Sequence, residues 1–236
     1  MLSYKFFIAP NDMQFKVPAD ASVDDFNNTW NEIFGDLQLY RHKYCDVKDG
    51  DTVLDLGANI GLFTLKCLLD HSNISVISVE AELRNAFCLA ENISKYSQDD
   101  SNSGFVLNYA IYSHCNGVKL NVDKNRLGSH YVSDIHPRLT KQECQVDVKS
   151  VTIDKIVKDL ELEKVDFMKF DIEGSEIEAL IGAEQTIKKF KPKMIIATYH
   201  VSGHKEQIEY LVSRYRSDYT FEFVNKGRYD QVLVCW

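Results

Sequence analysis

The residues with the most chemical potential lie in three short stretches of a 236-residue chain. In DTVLDLGANIGLFTLKCLLD, Asp55 precedes two glycines, Gly57 and Gly61, with Asn59 between them. Apolar residues alternate before the glycines and fall at helical intervals after them, so a strand feeds a helix through a tight turn. In an open parallel sheet such a turn lies beyond the carboxyl ends of the strands, where ligands bind. A dinucleotide fingerprint needs a middle glycine so that the backbone can approach a pyrophosphate, and Asn59 stands in its place. Asp55 would also set negative charge against phosphate, whereas it suits an ammonium group. Glu80 ends the next strand, SVISVE, about twenty residues further on, where an acid accepts hydrogen bonds from ribose hydroxyls. A nucleoside with an amino-acid tail and no phosphate satisfies these groups together. The expected ligand is S-adenosylmethionine, with Asp55 facing its ammonium, the amides of residues 57–61 its carboxylate at the helix N-terminus, and Glu80 its ribose.

The other two stretches could handle protons. Lys169, Asp171, Glu173 and Glu176 cluster around the end of VDFMKFD, and His200 ends KMIIATYH. Methyl transfer from a sulfonium is an in-line displacement that needs alignment, and a base where the acceptor is an alcohol or amine. His200 has a suitable intrinsic pKa and is the leading base, with Asp171 orienting acceptor or cofactor. A single histidine with carboxylates on different strands is weak evidence for Mg²⁺, so no metal is expected. The polar segment 125–139 carries Arg126, His130, Tyr131 and His136 and is a candidate lid over the acceptor, although a plain surface loop has the same composition.

These residues need a scaffold that brings strand ends together. Strands TVLDLG, SVISVE and FVLNYAI alternate with helices that start at Leu62 and at ELRNAF, and the alternation resumes through TIDKIVKDLELE, VDFMKFD, GSEIEALIGAEQTIKKF, KMIIATYH and HKEQIEYLVSRY. Such a pattern calls for a parallel sheet covered on both faces. YTFEFV and DQVLVCW have no helix between them and should pair antiparallel, which gives a doubly wound α/β sheet of seven strands, mostly parallel with one reversed. Residues 1–50 form an N-terminal extension, a hairpin at FFIAPNDMQFKV and a helix at SVDDFNNTWNEIF capped by its serine, packed on a core domain of residues 51–236. The region 113–149 breaks the pattern and is an expected insertion near one sheet edge.

Composition narrows the function classes. An apolar fraction of 44% excludes a disordered chain, and no apolar run approaches the length of a membrane span. A net charge of −8 disfavours nucleic acid as a partner. Six scattered cysteines without a CxxC pair speak against zinc and against a disulfide framework, and no signal peptide is evident, so a cytoplasmic location is expected.

The chain also resembles the FkbM-type S-adenosylmethionine-dependent methyltransferases. The resemblance rests on EIFGDLQLY, DTVLDLGANIGLFTL, VISVEAELRNAFCLAENI, NYAIYS and the long segment VTIDKIVKDLELEKVDFMKFDIEGSEIEALIGAEQTIKKFKPKMIIATYH. It implies a Rossmann-like class I methyltransferase sheet with the cofactor across the first strand ends. It further implies that Asn108, Tyr109 and Ala110 lie beside the adenine and that Asp171 faces the methyl-transfer region. Where the family commonly has proline after the ribose-binding acid, this chain has Ala81, and ATYH lacks the acid that many relatives carry before the histidine. The reading is an O-methyltransferase for a small-molecule, sugar or lipid-like acceptor, with an NAD-linked oxidoreductase or a non-catalytic nucleoside-binding domain as alternatives.

Overall fold

A computed structural model describes residues 3–97, 100–123, 128, 130–133, 143–227 and 230–236. The extension supplies β1 (Tyr4–Ile8), β2 (Gln14–Pro18) and α1 (Val23–Ile33). The core begins with β3 (Thr52–Leu56), α2 (Leu62–Asp70), β4 (Ser75–Val79), α3 (Leu83–Tyr96) and β5 (Ser103–Leu107). Next come β6 (Ala110–Ile111), β7 (Val118–Asp123), β8 (His130–Val132), β9 (Glu143–Val148), β10 (Ser150–Val151) and α4 (Ile153–Asp159). The chain closes with β11 (Phe167–Phe170), α5 (Glu176–Ile181), α6 (Glu184–Phe190), β12 (Lys193–Ala197), α7 (His204–Tyr215), β13 (Phe221–Asn225) and β14 (Gln231–Cys235).

The central sheet runs β13-β14-β12-β11-β3-β4-β5, and β14 alone is reversed against its neighbours. The expected seven-stranded sheet with one reversed strand is therefore present. Because successive strand residues point to opposite faces, Val53, Phe167 and Ile195 join one apolar layer with α2, α3 and the extension. Leu54, Leu56, Met168, Phe170 and Ile196 join the other layer, with α4 to α7. Asp55 and Lys169 share the first face, and the parallel register sets Lys169 on β11 and Ser78 on β4 directly beside Asp55 on β3.

The extension is tied to this core at several points. The Ser22 hydroxyl accepts from the amides of Asp24 and Asp25 and starts α1, whose Phe26, Trp30 and Ile33 at helical spacing are buried. Phe15 and Val17 of the hairpin are fully buried beneath it. The Asn92 side chain, on α3, accepts from the Lys16 amide and donates to the carbonyls of Lys16 and Ile60, which links the hairpin to the glycine turn.

Three elements differ from expectation. FVLNYAI is not one strand: β5 ends at Leu107, and Ala110–Ile111 leaves the sheet to pair in parallel with β10. The break falls where Asn108 turns its side chain back to donate to the carbonyls of Glu80 and Ala81. The helix expected over residues 174–190 is two short ones, parted at Gly182, where a Cβ would stand 2.6 Å from the Tyr112 carbonyl oxygen. In the insertion VKLNV and QVDV are the strands that their alternation predicts, β7 and β9, and the unexpected element is β8, which pairs on the other side of β7 in an antiparallel sheet β8-β7-β9 separate from the central one. Its β8 lies inside the stretch that had read as loop; Arg126 and His136 fall outside the described residues.

The described cysteines are all free thiols, and among the described residues no helix is long and apolar enough to cross a membrane.

Candidate functional site

A cleft of about 700 Å³ opens beyond the carboxyl ends of β3, β4 and β11. The glycine turn forms its floor. Gly57 adopts φ +80°, and a Cβ there would stand 1.9 Å from the Asp171 carbonyl oxygen, so only glycine lets β3 leave the sheet so close to the end of β11. Asn59 also takes a left-handed φ of 52°, a conformation asparagine tolerates, which fits its place between the glycines. Most amides of this turn already donate inside the chain: Gly57 and Ala58 to the Val79 carbonyl, Asn59 to Glu80 Oε2 at 2.9 Å, and Gly61 to the Ala58 carbonyl.

Glu80 is buried, and its second oxygen accepts from the Glu82 amide at 2.8 Å. Burial raises its carboxyl to about 7 against the pull of those two amides. Ala81, Tyr109 and Ala110 line the same end of the cleft. Asn108 does not line it. Its side chain fixes the Glu80–Ala81 backbone from outside instead.

Asp55 departs from expectation. Its side chain is fully buried below the cleft, where Oδ1 accepts from Lys169 Nζ at 3.0 Å and Oδ2 from the Thr64 hydroxyl at 2.7 Å. The Ser78 hydroxyl lies 2.7 Å from that of Thr64 and completes the cluster. Lys169 also donates to the Gly57 carbonyl at 2.8 Å and stands 5.3 Å from the Tyr40 ring centre. Burial alone would lower the Lys169 pKa, but Asp55 and Asp171 outweigh it and hold the ammonium charged. Lys169 is thus a fixed cation at the cleft floor that braces the turn, and the aspartate is its counterion.

At the opposite end the structure brings Asp171, Glu173 and His200 together. His200 Nε2 lies 3.5 Å from both Asp171 Oδ1 and Glu173 Oε2, and Nδ1 donates to Glu176 Oε1 at 3.1 Å. Glu176 is wholly buried, accepts from the amides of Ile172 and Gly174, and faces His204 Nδ1 at an ion-pair distance of 3.4 Å. Burial would lower the His200 pKa, yet Glu173, Glu176 and Asp171 raise it to about 10. The Glu176 carboxyl is held well below its ordinary range, since His200 and His204 outweigh its burial. The carboxyl groups converging on the ring favour the protonated form of His200, and a protonated ring is the wrong starting state for the leading base that the sequence suggested.

Asp171 is clamped by two phenols: Tyr40 donates to Oδ2 at 2.8 Å and Tyr199 to Oδ1 at 3.2 Å. Burial and the nearby Asp171 keep both phenols protonated. Glu32, on α1, opens onto this end and onto an adjoining cavity of about 300 Å³ lined by Gln38, Arg41, Val47 and Phe63. Burial, then Asp171, raises Glu32 to about 8, and burial raises Glu173 likewise to about 8. Among the described residues, no group of three or more histidine, cysteine or acidic side chains has the arrangement to hold a metal ion.

The methyltransferase FkbM domain matches residues 47–224. The chain belongs to this family. A crystal structure of methyltransferase FkbM from Methylobacillus flagellatus is similar at a TM-score of 0.62 and 21% identity, covering 84% of this chain and 46% of that one. The chain thus spans about half the length of that relative. Methyltransferase sdnD of Sordaria araneosa is 22% identical over 206 residues, covering 78% of each protein. TYW2 of Pyrococcus horikoshii, solved in complex with MeSAdo, shares the fold at a TM-score of 0.50 with 11% identity, covering 100% of this chain and 71% of that one. The class I methyltransferase fold expected from the sequence is the one these structures share.

Several residues of this FkbM-domain site escaped the sequence reading. Tyr40 and Glu32 come from the extension, yet they end and begin EIFGDLQLY, a segment that already carried the family resemblance. Tyr199 neighbours His200 in ATYH and could have been noticed there. Thr64 and Ser78 gave no signal, because a buried polar side chain inside an apolar run reads as packing, and His204 gave none because it stands in the polar run SGHKEQ that opens a helix.

Proposed function

We propose that this chain transfers a methyl group from S-adenosylmethionine to a hydroxyl of a small-molecule, sugar or lipid-like acceptor. The observation that carries this reading is Glu80, a buried carboxylate aimed into the cleft by two backbone amides, next to a turn shaped by two left-handed glycines. A diol is the natural partner for such a carboxylate, since each oxygen keeps a lone pair after accepting its amide. The residues fit the cofactor. Glu80 would hold the ribose, Ala81, Tyr109 and Ala110 would flank the adenine, and Asp171 would face the ammonium in place of Asp55, because it is on the cleft wall and Asp55 is not.

When bound, S-adenosylmethionine supplies an electrophilic methyl group on a sulfonium whose leaving group is a neutral thioether. The chain's own residues then have two tasks, to align the acceptor and to receive its proton. Lys169 and His200 are both cations, so the proton goes to a carboxylate. Glu32 and Glu173 line the acceptor end and have basicities lifted toward neutrality, which suits general base work. Tyr40 and Tyr199 hold Asp171 in one orientation. The acidic lining of the cleft and the net charge of −8 support a small acceptor over a nucleic acid.

Incubating the purified chain with a cell extract and isotopically labelled methyl donor tests the proposal. Mass spectrometry is expected to find a labelled O-methyl product. Absence of label from every extract fraction while S-adenosylhomocysteine still binds would leave a binding domain and overturn the assigned activity.

A further inference from the structure

The insertion carries a feature that the cleft's proposed chemistry does not use. Both ring nitrogens of His130 are buried without a hydrogen-bond partner, and so is Asn59 Oδ1. Leaving a buried donor or acceptor unpaired is costly, so such atoms in a cleft wall are places where a ligand belongs. His130 lines the cleft, as do Asn59, Glu80 and Ala81.

Strand geometry says which end of the cleft His130 serves. β8 pairs with β7 so that His130 faces Val122 and Val132 faces Leu120. Residues 130 and 132 point to the same side of the strand, and Val132 is buried in a cluster with Ala110 and Tyr112, against which Ala81 packs. Just before the strand, Gly128 passes between the two ends of the cleft: a Cβ there would lie 3.7 Å from both Asn59 Nδ2 and Glu173 Oε1. It is the Val132 side of β8 that is seated against Ala81 and Ala110, beside Glu80.

We infer that His130 is a specificity-determining residue that hydrogen-bonds the nucleoside of the cofactor from the cleft wall it shares with Asn59 and Glu80. The inference rests on the S-adenosylmethionine reading. Burial lowers the His130 pKa and keeps the ring neutral, with one donor nitrogen and one acceptor nitrogen. Either nitrogen singly can then meet the nucleoside, the acceptor nitrogen receiving from the adenine amino group or a ribose hydroxyl and the donor nitrogen giving to an adenine ring nitrogen or a hydroxyl oxygen.

Calorimetric titration of the full chain with S-adenosylhomocysteine and with S-inosylhomocysteine tests it. His130→Phe keeps the ring volume and removes both nitrogens; it should weaken S-adenosylhomocysteine about tenfold without lowering the melting temperature, and His130→Gln should recover part of the loss. If the base edge is read, unsubstituted protein prefers the adenine compound and the Phe variant loses that preference. If the ribose is read, both compounds weaken together. Equal affinity in the Phe variant and the unsubstituted chain overturns the inference, and so does a loss that tracks a lower melting temperature with no recovery in the Gln variant. Failure of the unsubstituted chain to bind S-adenosylhomocysteine overturns the cofactor reading and this inference with it.

Discussion

At one end of the cleft Asn59 Oδ1 and both His130 nitrogens have no hydrogen-bond partner, whereas at the other Asp171, Glu176, His200 and Lys169 are gathered into ion pairs before any ligand arrives, although His200 Nε2 and Glu176 Oε2 make no hydrogen bond there. The first end carries an energetic cost in the free protein that a ligand can relieve. The second is preorganised, with its charges fixed in a low-dielectric wall where they need not rearrange during a reaction. Binding and stability should therefore respond to different substitutions.

The sharpest contrast is between Glu176 and Glu80. Removing one partner of a buried charge network strands the others, so Glu176→Ala should lower unfolding stability by about 3 to 5 kcal/mol in urea denaturation. Glu80→Ala should weaken S-adenosylhomocysteine about a hundredfold by calorimetry, because it removes two charge-assisted bonds to the ribose, and should lower stability less than Glu176→Ala does, since it strands the Asn59 and Glu82 amides but no charged partner. A Glu176 variant that keeps its stability, or a Glu80 variant that melts early and binds normally, would erase the distinction between the two ends.

Tyr40→Phe is a finer probe, since it deletes the 2.8 Å bond to Asp171 and keeps the ring. It should slow methyl transfer about tenfold and leave the affinity for S-adenosylhomocysteine close to normal. Smaller effects appear in pH dependence. His200 binds its proton more tightly folded, at about 10, than at its ordinary value of 6.5. Its stabilisation is complete below about pH 6.5 and is lost as pH rises through about 10, so the melting difference between the unsubstituted chain and His200→Gln should be largest near pH 6 and shrink across that window. Glu80, raised to about 7, should give a modest decline in S-adenosylhomocysteine affinity as pH falls below 7, because the protonated acid accepts less well.

The sequence made the sheet legible because its strands and helices are marked by periodicity, and the Ser22 cap and the terminal hairpin were readable for the same local reason. Glu80, Asp171, Glu173 and His200 were legible as cleft residues, since a strand end is a position the pattern itself defines. What stayed hidden depends on long-range register. Nothing in LDLG tells that Lys169, 114 positions away, sits beside Asp55 and takes the charge that the ammonium of a ligand was expected to meet. The protonation of His200 likewise follows from three carboxylates converging on one ring, which no spacing along the chain reveals. Tyr40 reaches Asp171 across 131 positions, from an extension that the strand and helix pattern assigned only to packing.

The most direct test of the central claim is a side-by-side calorimetric titration of the full chain with S-adenosylhomocysteine and NAD. The account predicts saturable one-to-one binding of S-adenosylhomocysteine that Glu80→Ala weakens about a hundredfold, and no heat from NAD. Saturation by NAD, or S-adenosylhomocysteine binding that survives the loss of Glu80 unchanged, would contradict it.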